Sequence, residues 1–153
     1  MLDQTDRKIL AALQKNGRLT NVELAEEVGL SPSPCLRRVR HLEESGYIDK
    51  YVALLNPKKM GYPMTVFVWV WLESHDEDSV NLVIADLNKF PEIVECHFMA
   101  GDSDFLLRVV AADLDDYRRF QSEKLGRIAG VRSLKTEIPL QRVKQTWELP
   151  IKP

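Results

Sequence analysis

Residues Ser31 to Tyr47 read SPSPCLRRVRHLEESGY, and the first of them mark a helix start. Ser31 is a capping type for the first free N–H groups. Pro32 and Pro34 fit a first turn, where a proline forfeits no intrahelical hydrogen bond. Gly46 suits the helix end. At about 100° per residue, Cys35, Leu36, Val39 and Leu42 gather on one side, while Ser33, Arg37, Arg38, Arg40 and His41 spread over the other. One face is expected to pack and the opposite face to carry positive charge. Such a helix suits a DNA major groove, with arginines reaching phosphates or the acceptor edge of guanine. A solvated basic face on an ordinary core helix has the same pattern, so the flanking sequence decides.

Upstream, Leu2, Ile9, Leu10 and Leu13 have helical spacing, with Asp3 and Asp6 where the helix dipole favours acid. Asn16-Gly17 stops that helix. Thr20 or Asn21 caps a short second helix, with Val22, Leu24, Ala25 and Val28 as its expected buried side, and Gly29 follows. A short helix, a glycine-containing turn and a basic helix make a helix-turn-helix whose later helix reads DNA. Gly46 to Ile48 and Tyr51 to Leu55 are expected as a short strand or wing. Residues 1–55 are thus a winged helix-turn-helix domain.

Asn56 to Pro63, NPKKMGYP, combines two prolines and a glycine without apolar periodicity, and is expected as a hinge over 56–63. The second domain, 64–153, opens with Thr65 to Leu72, TVFVWVWL, a β-branched and aromatic strand. Phe67, Trp69 and Trp71 fall on one face; Val66, Val68, Val70 and Leu72 fall on the other. A sheet covered by helices on one side alternates apolar with polar. This strand does not, so its second face needs a cover, and another subunit is expected to provide it. A helix over 76–90, strands over 93–99 and 105–111, a helix from Asp113 or Asp115, and a strand over 131–140 follow. The order β-α-β-β-α-β is the ferredoxin-like arrangement, so the fold class is α+β. Residues 141–153 form a tail with Trp147 and Leu149.

The 153 residues are 44% hydrophobic and 29% charged, with a net charge of −2. Residues 1–60 carry a slight excess of Lys and Arg, and 61–153 an excess of acids; that fits a local DNA-reading module better than a general nucleic-acid coat. The acidic second domain has no basic-aromatic run of the RNA-binding type. No apolar run is long enough for a membrane span, and MLDQTDRK has no signal core, so a cytoplasmic protein is expected. Cys35 and Cys96 are expected as small packing residues. His41, His75 and His97 lack ligand spacing, no phosphate loop is present, and no catalytic or metal-ligating set and no cofactor are expected.

Three segments resemble the leucine-responsive regulatory protein (Lrp/AsnC) family of transcription regulators. They are LDQTDRKIL, NGRLTNVELAEEVGLSPSPCLRRVRHLEESGYI and MAGDSDFLLRV. The ending QTWELP is similar to the T-x-x-LP of the subgroup acting on amino-acid catabolism or export. The resemblance implies sequence-specific binding of double-stranded DNA, a sensor domain of the regulation-of-amino-acid-metabolism type, and dimers assembling to octamers. It places Ser33, Arg37, Arg38 and His41 at DNA, and the basic face of the helix adds Arg40; His41 stands where relatives often have Arg or Lys, which weakens that contact at neutral pH. It places Met99, Gly101, Asp102, Asp104, Phe105 and Thr136 around an effector amino acid bound between dimers, with leucine, methionine or another apolar amino acid expected. In the loop, Gly101 is expected to allow positive φ, and Asp104 to hold an α-ammonium. The competing reading is an architectural, effector-independent DNA protein.

Overall fold

Asp3 starts the first helix by a reciprocal device: its carboxylate accepts from the Asp6 N–H while the Asp6 carboxylate accepts from the Asp3 N–H. The helix so capped is α1 (Gln4–Lys15), in a computed structural model that describes residues 2–152. Thr20 and Glu23 repeat the device at α2 (Asn21–Val28), which ends at Gly29 with φ of +74°. That left-handed turn leads into α3 (Pro32–Glu44). Ser31 is its N-cap residue but makes no side-chain cap bond. The reason is local: an N-cap oxygen seeks the N–H two or three residues on, and the latter position is Pro34. At the other end Gly46 takes φ of +72°, and Tyr47 N–H donates to the Leu42 carbonyl at 2.9 Å.

Ile9, Ala12, Leu24, Ala25, Val28, Cys35 and Leu42 form the core of this unit. Two expected core positions are solvent-facing instead. Val22 is 53% exposed, because it lies in the first turn of a two-turn helix whose inner side is filled by Leu24, Ala25 and Val28. Leu36 is exposed as well, because Arg38 takes the packed flank of its helix. The segment expected as a wing forms no ladder among the described residues: Tyr51, Val52, Leu54 and Leu55 are exposed and belong to no strand. Tyr51 is tied to α3 by donating to Glu43 at 3.0 Å.

The chain divides into two compact units, one running to Leu54 and joined by the tail from Val143, the other spanning Leu55–Arg142. The tail thus packs with the first unit, not with the second as its place in the sequence suggests. Gln14 fixes it by donating to the Leu149 carbonyl at 3.1 Å and accepting the Leu149 N–H at 2.6 Å.

The second unit is a four-stranded antiparallel sheet in the order β2-β3-β1-β4, from β1 (Met64–Leu72), β2 (Ile93–Phe98), β3 (Phe105–Ala111) and β4 (Val131–Glu137). Two helices, α4 (Glu77–Leu87) and α5 (Leu114–Glu123), complete the βαββαβ order. Val66, Val68, Val70 and Leu72 alternate inward with at most 1% exposure, against Val83 and Leu87 of α4 and Tyr117 and Phe120 of α5. Complete burial of such a side chain contributes roughly 1.5–3 kcal/mol, so this strand anchors the unit. Phe67, Trp69 and Trp71 lie on the opposite, half-exposed face. There Phe67 pairs with Arg108 and Trp69 with Leu106, and Arg108 meets Glu95 at 2.8 Å. Cys96 is exposed on edge strand β2 and is not the packing residue its apolar context suggests; Cys35 is buried as expected.

Candidate DNA interface and effector site

Helix α3 is held at its start and near its middle. Asn21, at the start of α2, donates from Nδ2 to the Pro32 carbonyl at 2.7 Å and so sets where α3 begins. One nitrogen of Arg38 reaches Asp3 at 2.6 Å and Asp6 at 2.7 Å, tying α3 to the capped end of α1. Arg38 therefore belongs to the flank that packs, in register with Cys35 and Leu42, and Leu36 takes the outward place. The spacing of 33, 36, 37 and 40 then makes one helical stripe of Ser33, Leu36, Arg37 and Arg40, all exposed. Among the described residues neither Arg37 nor Arg40 has an ion-pair partner. His41, also exposed, has Nδ1 3.4 Å from Ser45 Oγ. Of the five side chains expected at DNA, the fold leaves Ser33, Arg37, Arg40 and His41 open and engages Arg38 internally.

The Asp6 N–H and then the Arg38 guanidinium hold the Asp3 carboxyl below its usual range. A carboxyl lowered on folding stabilises the native state above its unfolded value, and that contribution disappears as pH falls through the folded value. Arg38→Met is expected to lower the urea midpoint of the full chain more at pH 7 than at a pH below the lowered folded value of Asp3, where that carboxyl is protonated and its pairing with Arg38 is lost. An equal loss at both pH values would show that Arg38 contributes packing alone.

In the second unit the segment after β2 is clamped onto β1. Met99 N–H donates to the Asp104 carbonyl at 2.8 Å, and Asp104 N–H donates to the Val70 carbonyl at 2.9 Å. The Asp104 carboxylate accepts the Leu72 N–H at 2.7 Å and faces His75 Nε2 at 2.8 Å. Trp71 closes the clamp, its indole N–H donating to the Asp102 carbonyl at 2.8 Å. The β1–β4 register shifts between Trp71 and Leu72, so Asp104 satisfies a strand N–H beside an irregularity in the sheet.

The six residues expected around an effector are therefore of several kinds. Gly101 and Asp102 are exposed at the loop tip and Met99 is half-buried. Gly101 does not take positive φ, and a Cβ there would meet nothing within 4 Å, so the freedom expected of this glycine is not used. Asp104 is largely covered and already engaged, leaving Asp102 as the open carboxylate of the loop. Phe105 is 1% exposed, with its ring 5.0 Å from that of Phe98, so the backbone is what it offers a ligand. Thr136 lies on β4 with β1 between it and β3, about 10 Å across two strand spacings. Its hydroxyl is 2.6 Å from Tyr117 Oη and 3.4 Å from Gln121 Nε2. Within one chain, the loop residues come together and Thr136 stands apart. His75 and Trp71 were not expected here. Each meets the loop across some thirty positions of sequence, and no local pattern signals such a contact. Among the described residues, no three His, Cys, Asp or Glu side chains are grouped to hold a metal.

The sequence matches two family models: a winged helix-turn-helix DNA-binding model over residues 2–49, and the Lrp/AsnC ligand binding domain over residues 65–149. The chain belongs to the Lrp/AsnC family. It is 45% identical over 151 residues to the leucine-responsive regulatory protein of Salmonella typhimurium, covering 99% of this chain and 92% of that one. A crystal structure of a Neisseria meningitidis transcriptional regulator in complex with L-Met matches with a TM-score of 0.94 at 39% identity, over 98% of this chain and 97% of that one. Escherichia coli AsnC matches with a TM-score of 0.87 at 29% identity, over 100% of this chain and 99% of that one. The Lrp/AsnC match joins the two units in one design: a winged helix-turn-helix that binds DNA, and an α+β ligand-binding domain carrying the clamped loop. This is a transcription regulator's architecture.

Proposed function

We propose that the chain regulates genes of amino-acid metabolism or transport by reading an operator with Ser33, Arg37, Arg40 and His41, under control of an apolar amino acid. Arg38 serves as the strut that aims the reader helix. The observation that carries this reading is the exposed stripe of unpaired arginines on the helix that follows the turn. The effector, leucine or methionine in kind, sits against Met99, Gly101, Asp102 and Phe105, with backbone groups and the Asp102 carboxylate meeting its polar end. Asp104 orients that loop. Thr136 joins the site from another protomer, since it lies across β1 from the loop in its own.

The half-exposed Phe67, Trp69, Trp71 and Leu106 are covered by a second copy of the chain. The paired charges of Glu95 with Arg108 and of Lys135 with Glu137 leave that face locally neutral, which suits contact with itself. Dimers joined through bound effector assemble to the octamer, residues 56–63 act as the hinge, and the protein works in the cytoplasm. An effector at such an interface shifts assembly only by its differential affinity for the two states.

A thermal-shift screen of the full chain against the twenty amino acids, followed by size-exclusion of each hit, tests this. A ligand at a hundred times its dissociation constant stabilises the native state by about 2.7 kcal/mol, a readily measured shift. An apolar amino acid is expected to raise the midpoint and change the assembly. No shift at millimolar ligand, with DNA binding retained, would instead favour the architectural reading.

A further inference from the structure

We infer that Leu36 is a specificity-determining residue of the DNA interface, placed to read the C5-methyl group of a thymine. The inference rests on the proposed reader helix and asks what a leucine does there. Three observations lead to it.

First, Leu36 is not where its hydrophobicity would put it. Cys35 and Leu42 of the same helix are completely buried, whereas Leu36 is 38% exposed. The strut from Arg38 to Asp3 and Asp6 sets this rotation, for an arginine held at that flank turns position 36 outward. Second, its neighbours are not those of a stray surface leucine. It lies one turn after Ser33, beside Arg37 and one turn before Arg40, the one large apolar side chain in that polar stripe. Third, the start of α3 is fixed by the Asn21 bond to the Pro32 carbonyl, so Leu36 is presented from a positioned backbone.

The chemistry of the major groove gives such a side chain one partner. A base pair offers acceptors, a donor and, on thymine alone, a methyl group. Ser33, Arg37 and Arg40 can address the hydrogen-bonding groups and the phosphates. Leu36 can address none of these, and burying it against a polar edge would cost affinity. Against a thymine methyl it gains apolar contact, and against cytosine at the same place it meets no methyl. The residues at the N-terminal half of a reader helix are those that reach base edges, and position 36 is in that half.

The test uses the full chain and duplex DNA selected from a random library. The wild-type protein is expected to enrich sites with a thymine that Leu36→Ala no longer prefers. On the selected duplex, deoxyuridine at that position removes only the methyl group. Wild-type binding should weaken by roughly three- to fivefold, the worth of one buried methyl group. Leu36→Ala should bind the two duplexes equally, and Leu36→Met, which keeps an apolar end, should restore part of the preference. Identical base preferences for wild type and Leu36→Ala at every position would overturn the inference, as would full binding of the deoxyuridine duplex by the wild type. Failure of the wild type to enrich any site would be a different result, for it would remove the DNA-reading function itself. Circular dichroism on each variant separates loss of reading from loss of fold.

Discussion

Arg37→Ala is expected to weaken binding of the full chain to its selected duplex by roughly ten- to a hundredfold while leaving the oligomer unchanged. Arg37 is exposed on the reader stripe and has no ion-pair partner among the described residues, so its removal leaves no intramolecular charge orphaned. Fold and assembly should therefore survive, and the loss should appear in DNA affinity alone. Anisotropy titrations at several salt concentrations separate two modes of contact. If Arg37 neutralises a phosphate, the slope of log K against log salt falls by about one and all sequences weaken together. If it grips a guanine edge, the loss concentrates on one base pair. Unchanged affinity would take Arg37 out of the interface.

Asp104→Ala acts at the other site and by a different route. Its carboxylate is the acceptor for the Leu72 N–H and faces His75, with its side chain 15% exposed. Alanine leaves a partly buried backbone N–H without its acceptor beside the irregular end of β1, a loss of about 1–3 kcal/mol. The expected results are a lower urea midpoint and a thermal shift with the effector amino acid that is abolished or much reduced. Asp104→Asn keeps an oxygen for Leu72 and should recover most of the stability. Near-ultraviolet dichroism of Trp71, whose indole N–H holds the Asp102 carbonyl, reports the loop directly. A full ligand shift at an unaltered midpoint in Asp104→Ala would mean that the clamp does not shape the site.

Periodicity made most of the secondary structure legible. The alternation from Val66 to Leu72 separates two faces, but both are apolar, and only the structure shows that the valine face meets the helices. Thr20 or Asn21 is legible as a cap of α2, whereas Asp3 is legible only as an acid near a helix start, not as the cap of α1. What periodicity leaves open is a rotation of a few tens of degrees. On α3 both Leu36 and Arg38 flank the buried line, and hydrophobicity alone favours Leu36 for the core. The deciding interaction comes from Asp3 and Asp6, some thirty residues away, and no local pattern contains it. The loop between β2 and β3 has the same limit. Its composition suggests a turn with open acids, but Asp104 is engaged by Leu72 and His75, and Phe105 is in the core. The wing is a third case: an extended apolar segment is visible in Tyr51 to Leu55, but a strand exists only with a partner.

The two prolines at the start of α3 have a bearing on how DNA is gripped. Helix N-termini commonly anchor phosphates with free backbone N–H groups, which are neutral and displace few counterions. Here Pro32 and Pro34 have none, and Cys35 N–H is turned back to the Ser31 carbonyl at 3.2 Å. Ser33 keeps the single free amide of that turn. In the proposed interface, anchorage at this end of the helix consequently falls to the side chains, and above all to guanidinium charge. Binding built in this way is tuned by the ionic medium: a rise in salt loosens every site at once, and the sites with the fewest favourable base contacts empty first.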